Sequence, residues 1–428
     1  MMRQNCLFRR LILAVFLLAL YLPASAHSED YDNSPDRSKW MANLRDDTPL
    51  CRVSIPGAHD ALTGAVRVAG STCQTYDIGE MFDKGVRFFD FRVAAHLART
   101  KYTLMGYHGF VVMSYWFDTA MGELFDRIKN NKDEIVLIHV SQESGTNPKI
   151  ATDPNWAKHV TWKLMCAYFD RNDGKNGVTD NTYFNDFWKD SNKGHEFDRY
   201  HEMQKYLMPF RPDLTVGEAR GKIVYMLKDD MGDKDYDFLK KNWKNEYYAD
   251  LPFVHDAPGD PGKDRDIIYW GKDPVSGKAK VLKAKFLGQN NDEVYDCFEK
   301  YGYIEKQFEF FDKFVKDHPD SLVWNFNYIS GWEKWLHTAL KFPDQREIAT
   351  YCNRLSTAYI GSHPNSHFGI IAMDWCCVST AWGYTMAGDV LVDAVINNNW
   401  KYWKDSKDSK DSRGHYEIPT SYYGDHNK

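Results

Sequence analysis

The sequence predicts an α/β fold, an irregular (β/α)8 barrel of the TIM type with surface insertions, and three observations predict it. Short β-rich runs alternate with amphipathic stretches, the pattern of βα units around a parallel sheet. Eight such runs occur, which is the number that closes a barrel. Several of them end directly on histidine, aspartate or arginine, as strands do where their C-terminal ends build a site.

Taken in order, the chain opens with Arg9 and Arg10 ahead of an apolar run, Leu11 to Leu22, that closes on Pro23-Ala24-Ser25-Ala26. The run is too short for a membrane span and ends on a small-x-small pattern, so residues 1–26 are expected to be a cleaved signal peptide and the rest secreted or periplasmic. The expected strands are Arg52 to Ile55, Val86 to Arg92, Tyr102 to Tyr107, Glu134 to Val140, Lys222 to Leu227, Val281 to Phe286, Leu322 to Tyr328 and Phe368 to Met373. Helical periodicity lies between them at Phe117 to Asn130, Trp156 to Phe169, Val294 to Phe314, Ile348 to Leu355 and Val390 to Asn398. Two polar stretches, Asp170 to Arg211 and Asp256 to Lys278, interrupt the pattern and are expected to be surface excursions. Residues 27–403 are therefore expected to form one barrel, and residues 404–428, which begin with a Lys-Asp-Ser repeat and hold little to bury, a polar low-complexity tail.

Charge and cysteine content exclude some functions. The net charge is −6, and removing residues 1–26 takes three arginines and no acid. No basic run supplies the electrostatic footprint of a nucleic-acid binder. The seven cysteines beyond residue 26 have no zinc-type spacing. They are expected to be buried thiols or to form one or two disulfides. No heptad or long repeat offers an association surface, so a monomer is expected.

Chemistry concentrates at four strand ends. Val53 to Asp60 is an apolar run that Pro56-Gly57 stops, delivering His59 and Asp60 into the next loop. In Phe88-Phe89-Asp90-Phe91-Arg92 the period of two puts Asp90 and Arg92 on one side, where an acid and a base can flank an anion. Gly106-Tyr107-His108-Gly109 places a second histidine among small neighbours, and Ile370-Ile371-Ala372-Met373 closes on Asp374. In a closed barrel the last strand lies beside the first, so Asp374 reaches His59. His139, mid-strand in an apolar run, is expected to pack in the core.

These four motifs, in this order and at these strand ends, resemble the bacterial phosphatidylinositol-specific phospholipases C over roughly Trp40 to Asn399. The resemblance implies cleavage of phosphatidylinositol, or of a glycosyl-phosphatidylinositol, to diacylglycerol and inositol 1,2-cyclic phosphate at a peripheral membrane surface. By position, His59 would be the general base and Asp374 the carboxylate that orients it. His108 would be the general acid, oriented by Asp90. Arg92 would bind the phosphate, with Asp60 holding Arg92 and the leaving-group side. The chain departs from the family at Ser141, where the family has lysine. Lys228 matches a family arginine to within one residue of register, and Asn290 lies in a stretch that aligns poorly with the family's inositol contacts.

Calcium-dependent relatives carry an acid at position 92; a guanidinium cannot be a ligand, so no metal and no other cofactor is expected. Two rival readings stand. A metal-dependent glycerophosphodiester phosphodiesterase shares the barrel, and activity in chelator separates it. A barrel that binds inositol phosphates or glycans without turnover is separated by the search for a cyclic product.

Overall fold

Strands buried on both faces have no room for polar side chains, and the most continuous apolar runs of the chain accordingly meet at the centre. The computed structural model describes residues 36–64, 71–98, 101–109, 111–143, 202–228, 264–272, 279–287, 297–329, 345–381 and 383–404, with residues 161, 164, 165, 168 and 169. Apart from Asp36 they all belong to one compact unit, Arg37–Lys410. Its strands are β1 (Ile55–Ala58), β2 (Phe88–Ala98), β3 (Lys101–His108), β4 (Val111–Trp116), β5 (Ile135–Gln142), β6 (Leu207–Pro209), β7 (Lys222–Lys228), β8 (Asp264–Lys272), β9 (Ala279–Leu287), β10 (Ser321–Leu322), β11 (Phe326–Tyr328), β12 (Ile370–Met373), β13 (Thr380–Ala381) and β14 (Tyr384–Thr385). Its helices are α1 (Ile78–Asp83), α2 (Phe117–Asn130), α3 (Val216–Ala219), α4 (Cys297–Asp317), α5 (Gln345–Ser362) and α6 (Gly388–Asn397).

The central sheet runs β11-β12-β1-β2-β5-β7-β6, and every pair along that path is parallel. At its two edges the flanking segments touch: Phe210, after β6, packs edge-on against Trp324, before β11, and Trp324 Nε1 donates to Pro212 O at 2.9 Å. Helix α2 lays Phe117, Ala120, Met121, Leu124, Phe125 and Ile128 against the core at helical spacing. Helix α1 starts at a capping box in which Asp77 and Glu80 each bond the other's backbone N–H. At the opposite end from the strand C-termini, Arg87 and Glu134 form a fully buried ion pair, 2.7 Å between Nη2 and Oε2, that also takes the N–H groups of Met41 and Ala42.

The structure corrects several expectations. The first strand is Ile55–Ala58 rather than Arg52 to Ile55, and Pro56-Gly57 lies inside it; Pro56 turns its missing N–H toward β2 before β2 has begun, so no rung is lost. Gly57 is needed there, since a Cβ would stand 2.7 Å from Phe88 Cδ1. Tyr102 to Tyr107 is not a barrel strand: β3 returns antiparallel along the outer half of β2, and β4 pairs with it in turn, making a ribbon. Val281 to Phe286 is likewise outside the central sheet, within an antiparallel sheet ordered β10-β8-β9. The run carries Lys283 and Lys285, a composition unlike the continuous apolar runs of the central strands. The stretch Asp256 to Lys278, expected as an excursion, contains β8, and the end of Asp170 to Arg211 contains β6, which takes a place in the central sheet. Leu322 to Tyr328 splits between β10 and β11. The expected signal peptide and the tail beyond Lys404 lie outside the described residues. Among the described cysteines, Cys51, Cys73, Cys352, Cys376 and Cys377 are buried.

Candidate active site

His59 follows β1 directly, and its N–H makes the last rung to Met373 O at 3.1 Å. Asp60 then takes the left-handed conformation, φ 43° and ψ 50°, which aspartate tolerates better than most residues. That turn sends the Asp60 carboxylate back across the strand ends. Asp374 follows β12, the parallel neighbour of β1 in register Ala58 to Met373, and its Oδ1 lies 2.8 Å from His59 Nδ1. Asp90 and Arg92 project from one side of β2 as the period of two requires. In register across β5 they face His139 and Ser141.

His108 arrives by the ribbon. Strand β2 runs past the barrel mouth, and β3 comes back antiparallel with Val93 opposite Gly106, so the end of β3 returns to the level of Arg92. Gly106 lets it pass closely over the turn after His59, since a Cβ there would stand 2.7 Å from the Cβ of Leu62. His108 Nε2 lies 3.2 Å from Asp60 Oδ2, and His59 Nε2 lies 3.4 Å from the same oxygen. The two imidazoles thus flank one buried carboxylate oxygen. The expectation that Asp90 orients His108 is corrected: Asp90 Oδ2 meets Arg92 Nε at 3.0 Å and its Oδ1 meets His139 Nδ1 at 3.0 Å, while Asp60 is the partner of His108.

Arg92 joins the groups. Its Nε lies 2.9 Å from Asp60 Oδ1, Nη2 lies 2.7 Å from His59 Nε2, and Nη1 lies 3.6 Å from Glu143 Oε1. With His59 Nδ1 donating to Asp374, Nε2 is left as the lone pair that accepts from Arg92. Burial pulls the His59 imidazole down, and Arg92 opposes its charge, but Asp60 and Asp374 outweigh both and hold it above its ordinary 6.5. Burial also works against charge on Asp90, yet Arg92 and His139 keep its carboxyl well below the usual carboxylate range. Asp60, Asp90 and Glu143 overcome the burial of the Arg92 guanidinium and keep it charged.

Of the residues singled out in the sequence, His59, Asp60, Asp90, Arg92, His108 and Asp374 converge at this one mouth. Ser141 is buried at the end of β5, with Arg92 and Lys228 as its register partners on either side. The Lys228 side chain and Asn290 lie outside the described residues. His139 is fully buried, as expected, although it belongs to the polar network through Asp90. Sequence reading missed Glu143, which alternation from His139 and Ser141 would have placed on the same face. It also missed Tyr328, whose ring meets the His59 ring edge-on at 5.6 Å between centroids.

Among the described residues, His59, Asp60 and Cys73 could offer metal ligands within 4.8 Å of one another. The surroundings do not suit a cation, because a guanidinium already stands against two of these three groups. Arg92 Nη2 is hydrogen-bonded to His59 Nε2, and the same guanidinium is ion-paired with Asp60.

No family model matches the chain. The 1-phosphatidylinositol phosphodiesterase of Listeria monocytogenes is 26% identical over 161 residues, 34% of this chain. The match spans about half, 49%, of that relative's length. Two solved structures of the phosphatidylinositol-specific phospholipase C of Staphylococcus aureus, one a form with pentafluoro-Phe incorporated and the other a double mutant, superimpose with TM-scores of 0.52 and 0.53. Each is 16% identical and covers 84% of this chain; the matches span 98% and 97% of those chains. The likeness shows the fold, an irregular (β/α) barrel, and the chain resembles the bacterial phosphatidylinositol-specific phospholipases C.

Proposed function

We propose that the chain is a metal-independent phosphodiesterase of lyase type that cleaves phosphatidylinositol or a glycosyl-phosphatidylinositol to diacylglycerol and inositol 1,2-cyclic phosphate. The observation that carries the reading is the pair of imidazoles on either side of Asp60 Oδ2 with the Arg92 guanidinium against both His59 and Asp60. His59 Nε2 takes the proton of the inositol 2-hydroxyl, whose oxygen bonds to phosphorus, while Asp374 stabilises the imidazolium that results. The phosphorus–oxygen bond to glycerol breaks, and His108 gives its proton to the departing diacylglycerol oxygen. Asp60 Oδ2, 3.2 Å from His108 Nε2, is the carboxylate that positions His108 for this step.

Arg92 has two tasks in this scheme. In the resting site it bonds the lone pair of His59 Nε2. A phosphodiester bound at the mouth competes for that guanidinium, which frees Nε2 for the 2-hydroxyl and sets a positive charge against the growing charge on the phosphoryl oxygens. A guanidinium in that role takes the place a divalent cation has in a metal-dependent site.

The substrate would be met at a membrane surface. Val112 and Trp116 are exposed on β4, the strand that follows His108, with the half-buried Val111 beside them. An apolar edge next to the general acid suits an enzyme whose leaving group stays in lipid. One of the Staphylococcus aureus structures concerns modulation of that enzyme's membrane binding. Secretion through residues 1–26 and action as a monomer complete the proposal.

The test is direct: the purified protein is mixed with phosphatidylinositol vesicles in excess chelator, and the phosphorus NMR signal of a cyclic phosphodiester is followed. Its appearance is expected. Turnover that needs added metal would favour a glycerophosphodiester phosphodiesterase, and tight inositol phosphate binding without product would favour a binding protein.

A further inference from the structure

A buried primary amide is expensive unless all its hydrogen bonds are made, so one that is fully buried beside a reacting pair invites the question of what it holds. Gln74 is 0% exposed. Its Nε2 donates to His59 O at 2.7 Å and to Met373 O at 2.9 Å, and its Oε1 accepts from Cys376 N and Cys376 Sγ, each at 3.1 Å. The backbone N–H of Gln74 is itself fixed on Thr63 Oγ1 at 3.1 Å, and that hydroxyl donates to Asp60 O at 2.8 Å.

These partners are the backbone on which the proposed base and its orienting acid ride. The β1–β12 ladder ends at Ala58 and Met373, with His59 N to Met373 O as the last rung. Beyond it the chain after β12 turns sharply through Trp375 and Cys377, both at positive φ, 47° and 65°. The carbonyl of His59 then has no strand beside it. The Gln74 amide fills that gap as if it were one more strand residue, bonding the carbonyl of His59, the carbonyl before Asp374 and the N–H two residues after Asp374.

We infer that Gln74 is a positioning residue for the His59–Asp374 pair: it sets the 2.8 Å contact between His59 Nδ1 and Asp374 Oδ1 by clamping the backbone on either side of the two residues. It touches neither the proposed substrate nor the imidazole, and acts only through the geometry of the pair. The inference rests on the proposed roles of His59 and Asp374 for its kinetic consequence. Its geometric consequence is independent of them.

The experiment compares wild type with Gln74→Met, which keeps the side chain's size and removes every donor and acceptor of the amide. Two readouts are taken on the resting protein without substrate. The first is the downfield proton resonance of His59 Nδ1–H, assigned by its loss in Asp374→Asn. The second is the titration midpoint of the His59 ring protons. Because Asp374 holds the imidazole up, loosening the pair moves that midpoint to lower pH and weakens or abolishes the downfield signal. Kinetically, kcat on phosphatidylinositol falls by about 10²-fold, the effect of a small misplacement of reacting groups, with KM little changed.

A folded Gln74→Met protein with the wild-type downfield signal and the wild-type His59 midpoint would overturn the inference, even if it melts earlier, since Gln74 would then be an ordinary core residue. If Gln74→Met does not fold, Gln74→Glu decides by the same readouts. Its protonated carboxyl can hold only one of the two carbonyls, so its signal and midpoint are expected between those of wild type and Asp374→Asn, and wild-type values would again overturn the idea. A wild-type protein inert toward phosphatidylinositol would remove the reaction proposal, yet both resting readouts would still decide the role of Gln74.

Discussion

Replacing Arg92 by alanine tests the centre of the site, because this side chain touches Asp60, Asp90, Glu143 and His59 at once. Two effects follow. Deleting a charge partner of the transition state lowers kcat by about 10²–10³, or about 2.7–4 kcal/mol. Removing one side of a buried ion pair also destabilises the fold, by about 3–5 kcal/mol for full burial. The Arg92 side chain is 19% exposed, while the Asp60 and Asp90 side chains it leaves behind are 0% and 1% exposed, so the lower end of that range, about 3 kcal/mol, is expected. The variant should therefore remain folded at room temperature, shown by an intact urea transition at a lower midpoint. It also separates binding from catalysis by pH. Arg92 pushes the His59 pKa down, so its loss moves the acid limb of the rate profile to higher pH. The assay is initial rate against pH on vesicles in chelator. A folded Arg92→Ala variant losing less than tenfold, or a wild-type enzyme that dies in chelator and recovers with calcium, would refute the role given to the guanidinium.

Three more predictions accompany it. His59→Ala should be nearly inactive on every substrate, whereas His108→Ala should be severely impaired on phosphatidylinositol and much less so on an aryl inositol phosphate, whose phenolate leaves with little help from an acid; equal losses on both substrates would remove the general-acid role from His108. Because His59 must be neutral to act and its pKa is held up, kcat/KM should rise with pH through a midpoint above 6.5, and Asp374→Asn should move that midpoint down, as initial rates across pH will show. Replacing Val112 and Trp116 by serine should weaken vesicle sedimentation and turnover on vesicles, leaving turnover of a soluble inositol phosphodiester within about twofold; matched losses on both would place these residues in the core or the site rather than at the lipid.

The choice of residues at the site was legible in the sequence, since it is a local property. His59, Asp90, Arg92 and Asp374 each terminate or punctuate an apolar run, and the alternation of β2 alone puts Asp90 and Arg92 on one side. The parallel neighbourhood of β1 and β12 could also be inferred from barrel closure, which places Asp374 beside His59. The same continuous apolar patterning identified most of the central strands.

Partner choice was not legible, because it depends on strand direction and on one backbone angle. Asp60 becomes the partner of His108 through its left-handed turn and through a β3 that runs downward along β2, and nothing in Tyr102 to His108 distinguishes that return from an upward barrel strand. Asp90 is drawn away to His139 and Arg92 by cross-strand register, a relation between residues that lie 49 positions apart in the chain for the histidine. Gln74 sits in a segment with no strand or helix pattern, and only the gap left where the β1–β12 ladder ends gives its amide a task. Sequence thus set which groups could react, through short-range period and strand ends, while the tertiary structure set which proton each one shares, because hydrogen bonds act over about 3 Å and only the packed strands bring those atoms that close.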